Sequence, residues 1–113
     1  MKPPPGTVLC ALGDVENPGA KGFTFGEGVQ RYEMFLVRRG GEVFAYENAC
    51  PHLGAPLETL PDQFLTRDKA LIVCSFHGAQ FQIGDGLCIA GPCKGKRLAA
   101  LAVTVKDGTI ALA

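Results

Sequence analysis

Hydrophobic and polar residues alternate with the two-residue period of β-strands over much of the chain, and no segment sustains the period of a long helix. In residues 30–39 the alternation sets Tyr32, Met34 and Leu36 on one face and Glu33, Phe35 and Val37 on the other. Gly40-Gly41 interrupts that run, and residues 42–46 are predicted to return beside it as a hairpin. Asp107-Gly108, a strong two-residue hairpin signal, divides a strand over residues 97–106 from one over 109–112, with Leu101, Val103 and Val105 sharing a face of the longer. Residues 7–12 and 22–25 form earlier strands, punctuated by Gly13-Asp14 and by Asn17-Pro18-Gly19. Residues 48–95 differ in texture, being rich in Gly, Pro, Cys and His. Short strands are predicted there over 70–74, 79–83 and 87–89, with a turn at Gly84-Asp85-Gly86 and one short helical turn over 61–65. The pattern is that of an all-β sandwich or barrel with a loop-rich insert.

A length of 113 residues predicts a single domain, and a composition that is 47% hydrophobic suits a modest buried core. Lysine plus arginine and aspartate plus glutamate both number 11, so the formal charge is zero and no basic excess marks a nucleic-acid binder. No apolar window is long enough for a transmembrane helix, so no membrane partner is expected. The opening Met1-Lys2-Pro3-Pro4-Pro5-Gly6 lacks the apolar core of a secretory signal, which predicts a cytoplasmic location. Five cysteines fit poorly with a fully paired disulfide framework and, beside histidines, point to metal or redox chemistry.

Two motifs in the insert concentrate that chemistry, Cys50-Pro51-His52 and Cys74-Ser75-Phe76-His77. Each offers one thiolate and one imidazole, and glycines close behind (Gly54 and Gly78) let the two loops approach each other. Two sulfurs and two nitrogens could hold one ion or be divided between two irons. A structural zinc site is the plainer alternative, although zinc fingers pair like with like along the chain and these pairs are mixed. A nucleophilic pair of Cys74 and His77 is a third reading, and it leaves Cys50 and His52 unexplained.

Cys50-Pro-His52-Leu-Gly54 together with Cys74-Ser-Phe-His77-Gly78 resembles the paired signature of Rieske iron–sulfur proteins, specifically the soluble Rieske-type ferredoxins associated with oxygenases. Gly91-Pro92 resembles the family's proline loop, which covers the cluster from a third side. The resemblance spans the whole chain. It implies a basal β-domain over about residues 1–47 and 96–113 and a cluster-binding subdomain over about 48–95. It further implies one [2Fe–2S] cluster, with Cys50 and Cys74 on the buried iron and His52 and His77 on the outer iron near solvent. The implied function is a carrier that passes single electrons from a flavin-dependent reductase to a terminal oxygenase, not an enzyme itself. Both histidines of the chain are used by the cluster, so none is left for an oxygenase iron site. The alternatives in view are a Rieske-like small subunit of a larger reductase of the nitrite reductase type, and an iron–sulfur redox sensor.

The high-potential respiratory members of that family carry a disulfide between the cluster loops and serine and tyrosine hydroxyls directed at the cluster. The matching places here are Ala55 and Ser75 for the disulfide, and Ala79 and Phe81 for the hydroxyls. Cys88 and Cys93 flank Gly91-Pro92; they are expected as free buried thiols, with a disulfide across the loop the less common outcome in a reducing compartment. Cys10 is expected to be a core residue without a redox role. Lys94, Lys96 and Arg97 are either an ordinary solvated face or a basic edge that steers an acidic partner. Residues 58–69 form a stretch longer than a compact link between two loops needs, either packed on the sheet or used in partner recognition.

With the hydroxyl donors absent, the midpoint potential is expected near the bottom of the Rieske span of about −150 to +300 mV. Reduction raises the imidazole pKa values, so the midpoint is expected to fall as pH rises into the alkaline range. A redox titration between pH 6 and about pH 11 checks both; a midpoint above about +100 mV, or one flat with pH, contradicts them.

Overall fold

The computed structural model describes residues 2–51, 54, 56–58, 60, 62–75 and 78–113. In chain order its strands are β1 (Val8–Ala11), β2 (Gly19–Phe25), β3 (Tyr32–Arg39), β4 (Glu42–Glu47), β5 (Leu71–Val73), β6 (Gln80–Gln82), β7 (Cys88–Ala90), β8 (Ala100–Leu101), β9 (Val103–Lys106) and β10 (Thr109–Leu112). They form three antiparallel sheets, ordered β1-β10-β9, β2-β3-β4-β8 and β5-β6-β7. No helix among the described residues is long and apolar enough to cross a membrane.

Strand β3 explains why the sheets stack as they do. Met34, Phe35, Leu36 and Val37 are all fully buried, although successive side chains of a strand point to opposite faces. Met34 and Leu36 join Ile110 and Leu112 in one core, beneath β1 and β10. Phe35 and Val37 join Ile72, Phe81 and Cys88 in a second core, beneath β5, β6 and β7. The neighbouring β4 divides in the same way, Ala45 serving the first core and Tyr46 the second. The four-stranded sheet is thus a wall between two apolar interiors. The two faces expected for residues 30–39 are the two faces that occur.

Turn chemistry sets the hairpins. Gly40, at φ +65°, closes β3 onto β4 in a two-residue connection between Arg39 and Glu42. Asp107 and Gly108 both take positive φ, at +51° and +75°, the twist that a tight hairpin between Lys106 and Thr109 demands. The ends of the chain lie together, because the Gly6 N–H donates to the Leu112 carbonyl and the Leu112 N–H donates to the Thr7 carbonyl.

Three expectations need correction. The strand expected over 97–106 is two strands: β8 pairs with β4, β9 pairs with β10, and the chain changes sheets at Ala102. Leu101 is therefore buried while Val105 is 42% exposed, and the common face does not survive the crossing. Strand β2 begins at Gly19 rather than Gly22, since Gly19, Ala20 and Lys21 pair in register with Arg38, Val37 and Leu36. The helical turn expected over 61–65 is absent from its described part. Asp62 sits at φ +63°, Leu65 bridges to Ile72, and Pro61 lies outside the described residues.

Phe64 does more than a helical residue would. Its ring stacks on Phe35 with centroids 4.4 Å apart and planes 8° apart, pinning the stretch after the first cysteine loop to the central wall. Asp62 Oδ1 accepts the Gly22 N–H at 2.8 Å, and Lys69 Nζ donates to the Pro18 carbonyl, so the long stretch packs along β2. The Tyr46 hydroxyl donates to the Ile83 carbonyl from the same wall. Phe64→Ala is expected to cost about 3–5 kcal/mol in chemical denaturation. Val29→Ser, at a fully exposed position, is expected to stay within about 0.5 kcal/mol of the parent.

Candidate metal centre

Both cysteine loops spring from strand ends. β4 ends at Glu47 and leads through Asn48 and Ala49 to Cys50, while β5 ends at Val73 directly before Cys74. The turns that follow share one construction. The Gly54 N–H donates to the Cys50 carbonyl at 2.6 Å, and the Gly78 N–H donates to the Cys74 carbonyl at 2.9 Å. Each glycine stands four residues after its cysteine at φ +72°, a conformation that costs a side-chain-bearing residue energy. Cys50 and Cys74 are 2% and 1% exposed, in the same apolar core, and neither is in a disulfide. His52 and His77, with Leu53, Ala55 and Phe76 of the same motifs, lie outside the described residues.

The two loops are bonded to each other. The Ser75 N–H donates to the Leu57 carbonyl at 2.8 Å, and the Leu57 N–H donates to Asn48 Oδ1 at 2.8 Å. Asn48 also donates from Nδ2 to Glu58 Oε1 at 2.8 Å and from its backbone N–H to the Glu33 carbonyl of β3 at 3.0 Å. It is the buried polar residue of the described chain, at 6% exposure. Its side-chain amide ties the start of the first loop to Leu57 and Glu58, its backbone N–H anchors that loop to β3, and the Leu57 carbonyl makes the bond to the second loop. Sequence reasoning passed over Asn48; the available signal was no more than a polar residue two places before Cys50, just past the end of β4.

A third segment covers this core. Gly91, at φ +99°, lies so close to Ala79 that a Cβ built on it would stand 2.7 Å from the Ala79 Cα. Only a glycine lets the chain cross there. Ala79 and Phe81 are fully buried and bring no hydroxyl to the site. The Cys93 thiol faces both Cys88 and the sulfur of Cys50, and burial foremost, then its hydrogen bond to Cys88, push its pKa up to about 12. It therefore keeps its proton at neutral pH.

The other sequence candidates are placed as follows. Cys88 and Cys93 are free thiols, each 1% exposed, with their sulfurs 3.2 Å apart. Cys10 is half-buried against the core beneath β1, and burial raises its pKa. Lys94, Lys96 and Arg97 are exposed and form no ion pair among the described residues. Among those residues no three metal-ligating side chains converge, so the two cysteines by themselves do not make a complete ion site.

Comparison with known proteins identifies the family. The Rieske [2Fe-2S] domain family matches residues 7–107. The chain is 33% identical over 87 residues to the ferredoxin component of the alkene monooxygenase system of Xanthobacter autotrophicus (strain ATCC BAA-1158 / Py2), which covers 75% of this chain and 65% of that protein. It spans between 12% and 65% of the length of the curated relatives it matches. Among solved structures, the ferredoxin of carbazole 1,9a-dioxygenase from Nocardioides aromaticivorans IC177 superposes with a TM-score of 0.71 at 26% identity, over 95% of this chain and 97% of that one. A chain in the complex of reduced oxygenase and oxidized ferredoxin in carbazole 1,9a-dioxygenase gives 0.72 at 26% identity, over 94% and 90%. Two buried thiols on matched turns fit a cofactor that needs soft sulfur donors from two converging loops. The chain belongs to the Rieske [2Fe-2S] domain family, and its cofactor is one cluster of the Rieske type.

Proposed function

We propose that this chain is the one-electron carrier of an oxygenase system, accepting electrons from a flavin-dependent reductase and delivering them to a terminal oxygenase. It is the electron-transfer component and not the catalyst. The family match supports this, as do the similar ferredoxin of an alkene monooxygenase system and the similar chain in an oxygenase–ferredoxin complex. None of the five cysteines is in a disulfide, which accords with a cytoplasmic setting, where thiols stay reduced. The observation that carries the reading is the pair of matched turns, which puts Cys50 and Cys74 in one apolar core on two loops bonded through Ser75 and Leu57.

Cys50 and Cys74 are assigned to one iron, and His52 and His77 to the other, within a cluster-binding subdomain over about residues 48–95. When bound, the cluster supplies reversible one-electron redox chemistry at a potential that its two neutral imidazole ligands raise above that of all-cysteine ferredoxins. The chain's own groups do the rest. The glycine turns close the loop behind each cysteine, Asn48 braces the first loop through Leu57 and Glu58, the Ser75–Leu57 bond joins the two loops, and the segment at Gly91 packs against Ala79.

An anaerobic dithionite titration should show uptake of one electron per chain, and the reduced protein should reoxidise when mixed with a Rieske-type oxygenase. Failure to take up an electron, or to discharge into any such oxygenase, overturns the proposal. Cys50→Ser and Cys74→Ser are expected to abolish bound iron and acid-labile sulfide in the purified protein, and loss of either imidazole (His52→Ala or His77→Ala) is expected to change the visible spectrum. Asn48→Ala strands the Leu57 N–H, so it should lower stability by about 1–3 kcal/mol and hasten loss of iron to a chelator.

A further inference from the structure

Cys88 and Cys93 take no part in the assignment above, yet the backbone holds them face to face. The Cys88 N–H donates to the Lys96 carbonyl at 2.8 Å, and the Cys88 carbonyl accepts the Gly95 N–H at 3.0 Å. The Lys96 N–H donates to the Cys93 carbonyl at 2.9 Å, and the Lys94 N–H donates to the Gly91 carbonyl at 3.2 Å. The segment is thus a closed, internally bonded loop with both thiols on its inner side. Their sulfurs are 3.2 Å apart, the Cys93 S–H directed at Cys88 and the Cys88 S–H at the Ala90 carbonyl 3.1 Å away. A disulfide needs about 2.05 Å, so closure requires the sulfurs to approach by about 1.2 Å. The cover over them is thin, because Gly91, Pro92, Lys94 and Gly95 are all exposed.

We propose that Cys88 and Cys93 are a reversible dithiol–disulfide couple, a modification site in the third loop distinct from the cluster ligands. The oxidant is a low-molecular-weight disulfide such as oxidised glutathione. One sulfur attacks it, forming a mixed disulfide and releasing one glutathione thiol. The second sulfur then displaces the other glutathione. Two electrons and two hydrogens pass from the cysteine pair to two glutathione molecules, and a sulfur–sulfur bond joins residues 88 and 93. In the closed form the crossing at Gly91, which lies against Ala79, is tied at both flanks.

The test uses the cluster-loaded protein, equilibrated anaerobically in glutathione buffers of graded oxidation while the visible absorbance reports the cluster. Samples are then denatured, freed of iron, alkylated and weighed. The reduced protein carries five alkylatable thiols, and the oxidised protein is expected to carry three. Its tryptic peptide over residues 70–94 should keep an alkylated Cys74 and be lighter by two hydrogens at Cys88 and Cys93. Dithiothreitol should restore five, Cys10→Ser should leave the conversion unchanged, and Cys93→Ser should remove it. Two outcomes overturn the proposal in the parent protein alone: both thiols staying alkylatable for as long as the cluster absorbance persists, or a stable glutathione adduct at one of them. Neither bears on the electron-carrier reading, since the thiol count is independent of electron delivery.

Discussion

The middle of strand β3 has no outside. Four consecutive residues, Met34 to Val37, are sealed on both faces, and both cores of the molecule are built against them. A slip of one position against β2 or β4 would exchange Phe35 and Val37 with Met34 and Leu36 and mispack both interiors at once. Register is therefore enforced from two sides. The cluster side inherits this definition directly, because Phe64 stacks on Phe35 and Asn48 takes its backbone anchor from Glu33 in the same strand. The loops that carry the cysteines are irregular, but they are fastened to the most constrained element in the chain.

That fastening matters for electron transfer, where a rigid ligand shell keeps reorganisation small between oxidised and reduced forms. The loops gain rigidity from backbone hydrogen bonds and from the buried amide of Asn48. Burial also sets the electrostatics. An apolar surround penalises added negative charge, and Ala79 and Phe81 give nothing back.

Much of the fold was legible because its signals are local. Alternation in residues 30–39 named the faces of β3, and Gly40-Gly41 and Asp107-Gly108 marked hairpins whose twist needs positive φ. The spacing of the two cysteine motifs pointed to a pair of converging loops, and the described parts of those loops are bonded to each other. What stayed hidden depends on long-range partners. Nothing between residues 97 and 106 tells a strand to change sheets at Ala102; that choice is made by β4 on one side and β10 on the other. Phe64 looked like part of a turn because its partner, Phe35, lies 29 positions earlier. Asn48 gave no motif, since a buried amide is recognised only by the groups it bridges, Leu57 and Glu58.

The meeting of Gly6 and Thr7 with Leu112 has an architectural consequence. Both ends of the described chain leave from one edge, on the β1–β10 sheet, with the double-faced wall standing between them and the cysteine loops. A unit so arranged can be spliced into a larger polypeptide, or lengthened at either end, with the disturbance confined to two neighbouring strands. The cysteine loops stay across the wall from any such junction, which makes the fold as serviceable as a component part as it is on its own.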